Sequence, residues 1–388
     1  MVDVEAVVAA VRSVVGDRGD DLVLLHGPTL GGNAWDYVKE CIDTGWVSSA
    51  GAYVTRFEKM LAEFTGARHA VAVVNGTAAL HVALLLAGVT RDSEVLIPSL
   101  TFVATANAVA YCGAVAHFCD VEKRTLGIDP QRLGAHLQEV AQLRDGECWN
   151  RRTGRRIAAI VPMHTFGHPV DMEGLAAVAE RWGLPIVEDA AESLGSYYRG
   201  KHTGTFGRLG ILSFNGNKIV TTGGGGAILT DDDELAGRAR HITTTAKLPH
   251  AWEFVHDVTG FNYRMPNLNA ALGCAQLEQL PEFLTNKRRL AERYAEAMAG
   301  IEGVSVFREP EGSKSNYWLN AILLDKPDLA TRDRLLGALN AAKLQSRPIW
   351  TPMHRLAMYC ECPRMELDVT EQLAQRVVNV PSSAGLGG

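Results

Sequence analysis

The chain has 388 residues, 47% of them hydrophobic and 21% charged, with a formal net charge of −6 at neutral pH. At roughly 100–200 residues per domain, this length predicts two or three domains with substantial buried cores. No basic stripe marks a nucleic-acid partner, no apolar run reaches the roughly 18 residues of a membrane helix, and Met1–Glu5 lacks the basic start and apolar stretch of a signal peptide.

In chain order, Val4 to Val15 reads as a short amphipathic helix. The loop His26-Gly27-Pro28-Thr29-Leu30-Gly31-Gly32-Asn33 leads into a helical pattern from Ala34 to Ile42. A further helix runs from about Gly51 to Phe64, with Phe57, Met60, Leu61 and Phe64 at helical spacing. The texture then changes to short apolar runs, predicted as strands at His69 to Val74, Glu94 to Pro98, Val115 to Phe118, Ile157 to Pro162, Pro185 to Asp189, Gly210 to Phe214 and Ala227 to Thr230. Helical segments at Ala78 to Ala87, Thr101 to Tyr111 and Met172 to Trp182 alternate with them. The alternation predicts an α/β fold whose mostly parallel, seven-stranded sheet lies between helices. Arg151, Arg152, Arg155 and Arg156 read as a solvated turn between two elements. From about Pro266 the pattern differs. A long helical stretch from Leu268 to Met298 contains Pro281, which predicts a break or kink. A strand at Tyr317 to Leu324 and a helix at Leu329 to Ala342 follow. The division expected is a large domain over residues 1–265, including the N-terminal helix, and a smaller C-terminal α+β domain over 266–388.

Seven cysteines, an odd number at irregular spacing, read as unlinked thiols in a reducing, cytoplasmic compartment. Cys360-Glu-Cys362 is too closely spaced for a typical zinc knuckle, and no metal site is expected.

Ligands of open parallel sheets bind beyond the carboxyl ends of the strands. After the first strand, Asn75-Gly76-Thr77-Ala78-Ala79-Leu80 offers a glycine at a strand-to-helix turn, a hydroxyl and the free amides of a helix N-terminus. That suits a phosphate, and equally a plain helix cap. Glu188-Asp189-Ala190-Ala191-Glu192 places acids at the end of the fifth strand, fit for a metal, a ribose or a protonated ring nitrogen. Ser213-Phe214-Asn215-Gly216-Asn217-Lys218 then sets a lysine between an apolar strand and the run Gly223-Gly224-Gly225-Gly226. A partly desolvated lysine forms Schiff bases, and the glycines leave room for a flat cofactor or a close-lying backbone; a flexible surface loop is the alternative. Gly195 to His202 nearly matches a nucleotide P-loop but has His202 where the hydroxyl residue belongs, and no dinucleotide glycine fingerprint follows a strand.

Together with Gly45-Trp46-Val47-Ser48-Ser49 and Asn262-Tyr263-Arg264-Met265, these motifs in this order resemble the DegT/DnrJ/EryC1/StrS sugar aminotransferases, pyridoxal-phosphate (PLP) enzymes of fold type I. Within that family the chain looks most like the aminotransferases of bacillosamine and legionaminic acid synthesis, an impression carried by Pro162-Met163-His164-Thr165-Phe166-Gly167-His168-Pro169, Glu192-Ser193-Leu194-Gly195-Ser196 and Thr243-Thr244-Thr245-Ala246-Lys247.

The resemblance implies that Lys218 holds PLP as a Schiff base and later moves the proton, and that Asp189 pairs with the pyridine nitrogen, keeping the ring an electron sink. It implies that Gly76, Thr77, the Ala78 amide and Ser213 bind the phosphate and that Phe102 stacks on the ring. It further implies that Asn262 reaches the phosphate of a neighbouring subunit in a homodimer. Where the wider family often has Gln, this chain has Glu192, a carboxylate that a cofactor phenolate would repel unless it is protonated, shares a proton or turns to substrate. Trp46 and Ser48 are implied near the nucleotide sugar. His164 is read as a substrate contact, with a satisfied structural histidine as the alternative. The reaction implied is transfer of an amino group from L-glutamate to C4 of a UDP-linked 2-acetamido-4-keto-2,6-dideoxyhexose. The rivals are another PLP reaction on a keto sugar, such as dehydration or 3-amination, and a non-catalytic PLP-binding regulator. Relatives that dehydrate have His in place of the lysine. A regulator would need a DNA-binding segment, for which the chain has neither extra length nor a basic face.

Overall fold

A computed structural model describes residues 2–16, 18–19 and 21–388. Seven strands form the centre: β1 His69–Val73, β2 Glu94–Pro98, β3 Val115–Cys119, β4 Ile157–Ile160, β5 Val187–Asp189, β6 Leu209–Ser213 and β7 Gly226–Thr230. Their order is β1-β7-β6-β5 and β4-β2-β3, and parallel bridges Ile160–Ile186 and Met163–Asp189 join the two groups. Only β7 runs against its neighbours. The α/β fold expected from the alternation is present.

The strands are mostly apolar because both faces are covered. Along β1, Val71 and Val73 enter one core with Leu80, Ile97 and Ile160, while Ala70 and Ala72 enter a second with Phe57, Phe214 and Met265. Helices α1 Val4–Val15, α2 Ala34–Thr44, α3 Ala52–Thr65, α4 Gly76–Leu86, α5 Val103–Tyr111, α6 Pro130–Val140, α7 Met172–Trp182 and α8 Asp233–Thr243 accompany this part of the chain. Their starts follow side-chain caps: Asp129, Asp171 and Asp232 each accept first-turn amides. The arginine-rich segment is a turn, with Arg151 and Arg152 exposed. All seven cysteines are free.

The long helix α9, Asn267–Ala297, runs on through Pro281 without the expected break. Pro281 lies on the exposed side, while Leu280 and Phe283 hold the buried side. The first half of α9 packs in the second core and the second half, through Leu290 and Tyr294, in a third. That third core belongs to an antiparallel sheet of β8 Val304–Val306, β9 Asn320–Leu324, β10 Arg347–Pro348 and β11 Val377–Val380, in the order β8-β9-β11-β10, with α10 Leu329–Ala341 over it. Helix α1 packs here too, through Val7, Val11, Val14 and Val15. The N-terminal helix thus buries its apolar stripe on the C-terminal part of the chain and not on the part that follows it in sequence.

Strand β9 starts at Asn320, three residues later than expected. Tyr317 has φ 48°, and the Trp318 N–H is taken by the Asn316 side chain, so a local turn interrupts the strand.

Candidate active site

A cavity of about 720 Å³ opens at the carboxyl ends of β1, β5 and β6 and is closed on its other side by the C-terminal sheet. Gly76, Thr77, Phe102, Asp189, Glu192, Ser213 and Lys218 all line it. The sequence motifs therefore converge on one place, as the strand-end rule for open sheets requires.

At one end lies the start of α4. The Asn75 side chain accepts the Ala78 amide at 2.7 Å, and the first helical bond runs from Ala79 N–H to Asn75 O. The amides of Gly76 and Thr77 precede that ladder and remain for an anion. Ala78 does not line the cavity and its amide is already bonded, which corrects its expected role. The helix start lies tight against the neighbouring strands. A Cβ on Gly76 would come within 2.8 Å of Ser213 Cβ, and one on Gly226 within 2.5 Å of the Asn75 carbonyl carbon. The glycine run thus serves close backbone approach.

The acids of β5 point opposite ways. Asp189, 5% exposed, accepts the Thr105 hydroxyl at 2.8 Å and the Ala191 amide at 3.2 Å. Burial raises its pKa, opposed by these bonds and by Lys218. Such a carboxylate favours a cationic partner. Glu188 faces away, accepting the Gly204, Phe206 and Gly207 amides at 2.6–2.7 Å and His164 Nε2 at 3.1 Å. His164 is fully buried, and its Nδ1 accepts the Val170 amide. It does not line the cavity, so the substrate contact expected of it is replaced by a structural bond under the sheet.

Lys218 follows a turn in which its N–H bonds Asn215 O. Its Nζ lies 3.3 Å from Glu192 Oε1 and 3.8 Å from the centre of the Trp318 ring. Glu192 Oε2 accepts the Phe166 amide at 2.9 Å. Burial lifts the Glu192 pKa to about 7 against the pull of Lys218. A carboxyl poised near neutrality shares or returns a proton, which answers the repulsion that an ionised Glu192 would meet.

Trp318, Thr105 and His26 were not read from the sequence as site residues. Trp318 and His26 line the cavity, and Thr105 bonds Asp189. The Ser315-Asn316 turn residues ahead of Trp318 are the signal that marked its departure from a strand.

Trp46 and Ser48, expected near the nucleotide sugar, and Asn262, expected at a neighbouring subunit's site, do not line this chain's cavity. Trp46 and Ser48 are exposed, and their carbonyls accept Asn267 side-chain and backbone donors at 2.7 and 2.8 Å, capping α9. Asn262 is exposed beside a bridge to Thr244.

Among the described residues, no helix is long and apolar enough to cross a membrane and no group of three or more His, Cys, Asp or Glu is placed to hold a metal.

The DegT/DnrJ/EryC1/StrS aminotransferase family model matches residues 28–388. GDP-perosamine synthase of Caulobacter vibrioides is 38% identical over 365 residues, 94% of each chain. A DegT/DnrJ/EryC1/StrS aminotransferase from Brucella abortus superposes with a TM-score of 0.81 at 30% identity, covering 91% of this chain and 90% of that one. DesI, solved in the presence of its TDP-sugar product, gives 0.82 at 30% identity, covering 94% and 88%.

The residues present suit the cofactor of this family. The α4 amides would meet a phosphate, buried Asp189 would meet a protonated ring nitrogen, and Lys218 has a carboxyl and a ring face as neighbours. With a continuous match over both parts of the chain and a site of this composition, the chain belongs to the DegT/DnrJ/EryC1/StrS family and is a PLP-dependent sugar aminotransferase.

Proposed function

We propose that this chain transfers the amino group of L-glutamate to C4 of a nucleotide-linked 4-keto-6-deoxyhexose, and that the sugar is a UDP-linked 2-acetamido-4-keto-2,6-dideoxyhexose. The observation that carries the transaminase chemistry is Lys218 Nζ, 3.3 Å from a Glu192 carboxyl poised near neutrality, in the same cavity as Asp189. PLP, when bound, supplies an electron sink for the carbon that loses or gains the proton.

Lys218 would bond the cofactor covalently, and its freed amine would carry the proton to and from the substrate carbon. Glu192 would take or return a proton beside it, and Asp189 would keep the ring nitrogen charged. Gly76, Thr77 and Ser213 would hold the phosphate, and Phe102, half-exposed at the head of α5, would cover the ring. The exposed Asn262 suits a reach into a neighbouring subunit's site, so a homodimer with shared sites is part of the proposal. Trp46 and Ser48, exposed on the same chain, suit a place along the sugar-nucleotide path at that interface.

The chain is taken to work as a cofactor-binding part through residue 265 and a smaller part after it, with α1 and α9 crossing between them, in the cytoplasm where sugar nucleotides are made. The UDP sugar and the bacillosamine and legionaminic acid subgroup rest on the Pro162–Pro169 and Thr243–Lys247 motifs. A GDP-linked keto sugar is the second reading, favoured by the name of the Caulobacter relative.

The test is the visible spectrum of the PLP-loaded protein. L-glutamate should bleach it, and a 4-keto sugar nucleotide should restore it, the UDP sugar faster than the GDP sugar. Lys218→Ala should lose turnover by about 1,000-fold or more. A wild type that takes up no PLP defeats the proposal, and faster recovery with the GDP sugar replaces the nucleotide.

A further inference from the structure

The wall of the cavity facing the C-terminal sheet carries polar atoms that the protein leaves poorly satisfied. His26 is 8% exposed, and both its ring nitrogens are buried without a hydrogen bond of good geometry; the nearby Asn217 carbonyl already accepts the Trp318 indole N–H at 2.8 Å. Asn379, 2% exposed on β11, leaves its Nδ2 in the same condition. Both residues line the cavity that holds Lys218. A buried polar atom left unpaired is costly, so several of them around one cavity point to a ligand that pairs with them.

Their placement is fixed by backbone. Leu25 N–H donates to Gln345 Oε1 at 2.8 Å, Ser382 N–H donates to Leu25 O at 2.6 Å, and Gly27 N–H donates to Ser383 Oγ at 2.8 Å. The residues on either side of His26 are thereby tied to Gln345, just ahead of β10, and to Ser382 and Ser383, just beyond β11. The imidazole lies 6.3 Å, centre to centre, from Trp318, the same ring that lies 3.8 Å from Lys218 Nζ. Burial first, then the charges of Lys287 and Lys218, lowers its pKa well below the usual histidine value, against the opposing pull of the Asn217 carbonyl. His26 is therefore neutral at physiological pH, with one nitrogen donating and the other accepting.

We propose that His26 and Asn379 together recognise a hydroxyl of the hexose ring in the sugar-nucleotide substrate and so set the keto carbon toward Lys218. The proposal rests on the sugar aminotransferase reading. A hydroxyl uses both a donor and an acceptor at a single oxygen, where an acetamido group spreads them over two atoms; a carboxylate or phosphate gains nothing from an accepting nitrogen. The amide of Asn379 adds a second donor to the hydroxyl oxygen. The loop His26–Asn33, which has no part in holding the cofactor, thus gains a role at the sugar.

The experiment is calorimetric titration of the PLP-loaded protein with two unreactive sugar nucleotides, UDP-N-acetylglucosamine and GDP-mannose, each compared with UDP or GDP alone. Wild type should bind at least one sugar nucleotide more tightly than its free nucleotide. His26→Phe, which fills the volume without the polar atoms, should lose about 10-fold of that increment and leave the affinity for the nucleotide alone in place, consistent with two neutral hydrogen bonds. His26→Gln should recover most of it, and Asn379→Leu should reproduce part of the loss, which keeps the test open if His26→Phe folds poorly. An increment that survives both His26→Phe and Asn379→Leu, a wild type with no increment, or an equal loss for nucleotide and sugar nucleotide overturns the proposal. Wild type that is bleached by glutamate yet binds neither nucleotide nor sugar nucleotide overturns the sugar reading beneath it.

Discussion

Glu192 shows how burial sets chemistry at a single residue. Its side chain is 2% exposed, with one oxygen on the Phe166 amide and the other facing Lys218. Burial outweighs both and lifts its pKa from 4.5 to about 7. The folded protein therefore holds a proton there that the unfolded chain releases above its ordinary carboxyl pKa. In the linkage, stability falls as pH rises from about 4.5 to 7, and the cost, on the order of 3 kcal/mol, is complete above pH 7. Glu192→Gln keeps an acceptor for Phe166 without the charge. The cofactor-free variant should gain melting temperature over wild type at pH 8 and gain little at pH 4.5; an equal gain at both would mean that the carboxyl is not the titrating group. At this scale the sequence was most legible where chemistry narrows the choice. Lysine after an apolar strand and aspartate at a strand end each have few uses, and both lie in the cavity. His164 shared that position in the pattern, yet its side chain turns under the sheet to Glu188. Which way a strand-end residue points depends on local backbone that one sequence does not spell out. His26 carried no motif at all, because its isolation is created by chain segments more than 300 residues away.

The start of α4 is an element shaped by what presses on it. Gly76 and Gly226 are glycines because Ser213 and the Asn75 backbone occupy the space a side chain would need. Gly76→Ala should push Ser213 away and narrow the anion site, weakening PLP binding by about 10-fold or more while leaving the far-ultraviolet dichroism unchanged. Ser213→Gly in the same chain should recover part of the affinity by restoring the space, though without the hydroxyl. An unchanged PLP affinity in Gly76→Ala would show that the anion does not sit at this helix. Elements with a strong period were readable: each of the seven central strands appears within a few residues of its sequence position. Breaks were harder. Pro281 reads as a break or kink in sequence, but packing along both halves of α9 outweighs one lost backbone bond and the helix continues. Conversely, Tyr317 to Leu319 read as strand, and side-chain bonds from Ser315 and Asn316 turn the backbone there and send Trp318 into the cavity.

At the scale of the whole molecule, the chain presents aromatic surface that its own cores do not use. Trp35 and Trp252 are more than 70% exposed, as is Phe254, and Trp46 is 61% exposed. Phe254 and Trp252 lie on the segment that Lys247–His256 and Thr244–Asn262 bridges hold together, and that segment ends at Asn262. Exposed apolar area of this kind marks an interaction surface, and a two-fold dimer would bury it while delivering Asn262 to the partner. This arrangement makes a quantitative prediction. Lys218→Ala chains lack the reacting amine, and Asn262→Ala chains lack the residue supplied across the interface. If sites are shared, a mixed dimer contains one site with both defects and one with neither. Co-expressed at equal levels and assayed at PLP too low to load the Asn262→Ala homodimers, half of the dimers are mixed and half of their sites intact, so the preparation should show about a quarter of wild-type specific activity. Two differently tagged chains allow the mixed dimer to be purified, and it should then reach about half of wild type. Lys218→Ala homodimers should be inactive, and Asn262→Ala homodimers should need more PLP for the activity they keep. If Asn262 acted within its own chain, the mixed dimer would hold one dead site and one weakened site, and its activity at limiting PLP would fall to half that of the Asn262→Ala homodimer. Titrating PLP into the purified mixed dimer separates the two geometries, because only a shared site restores wild-type affinity for the cofactor.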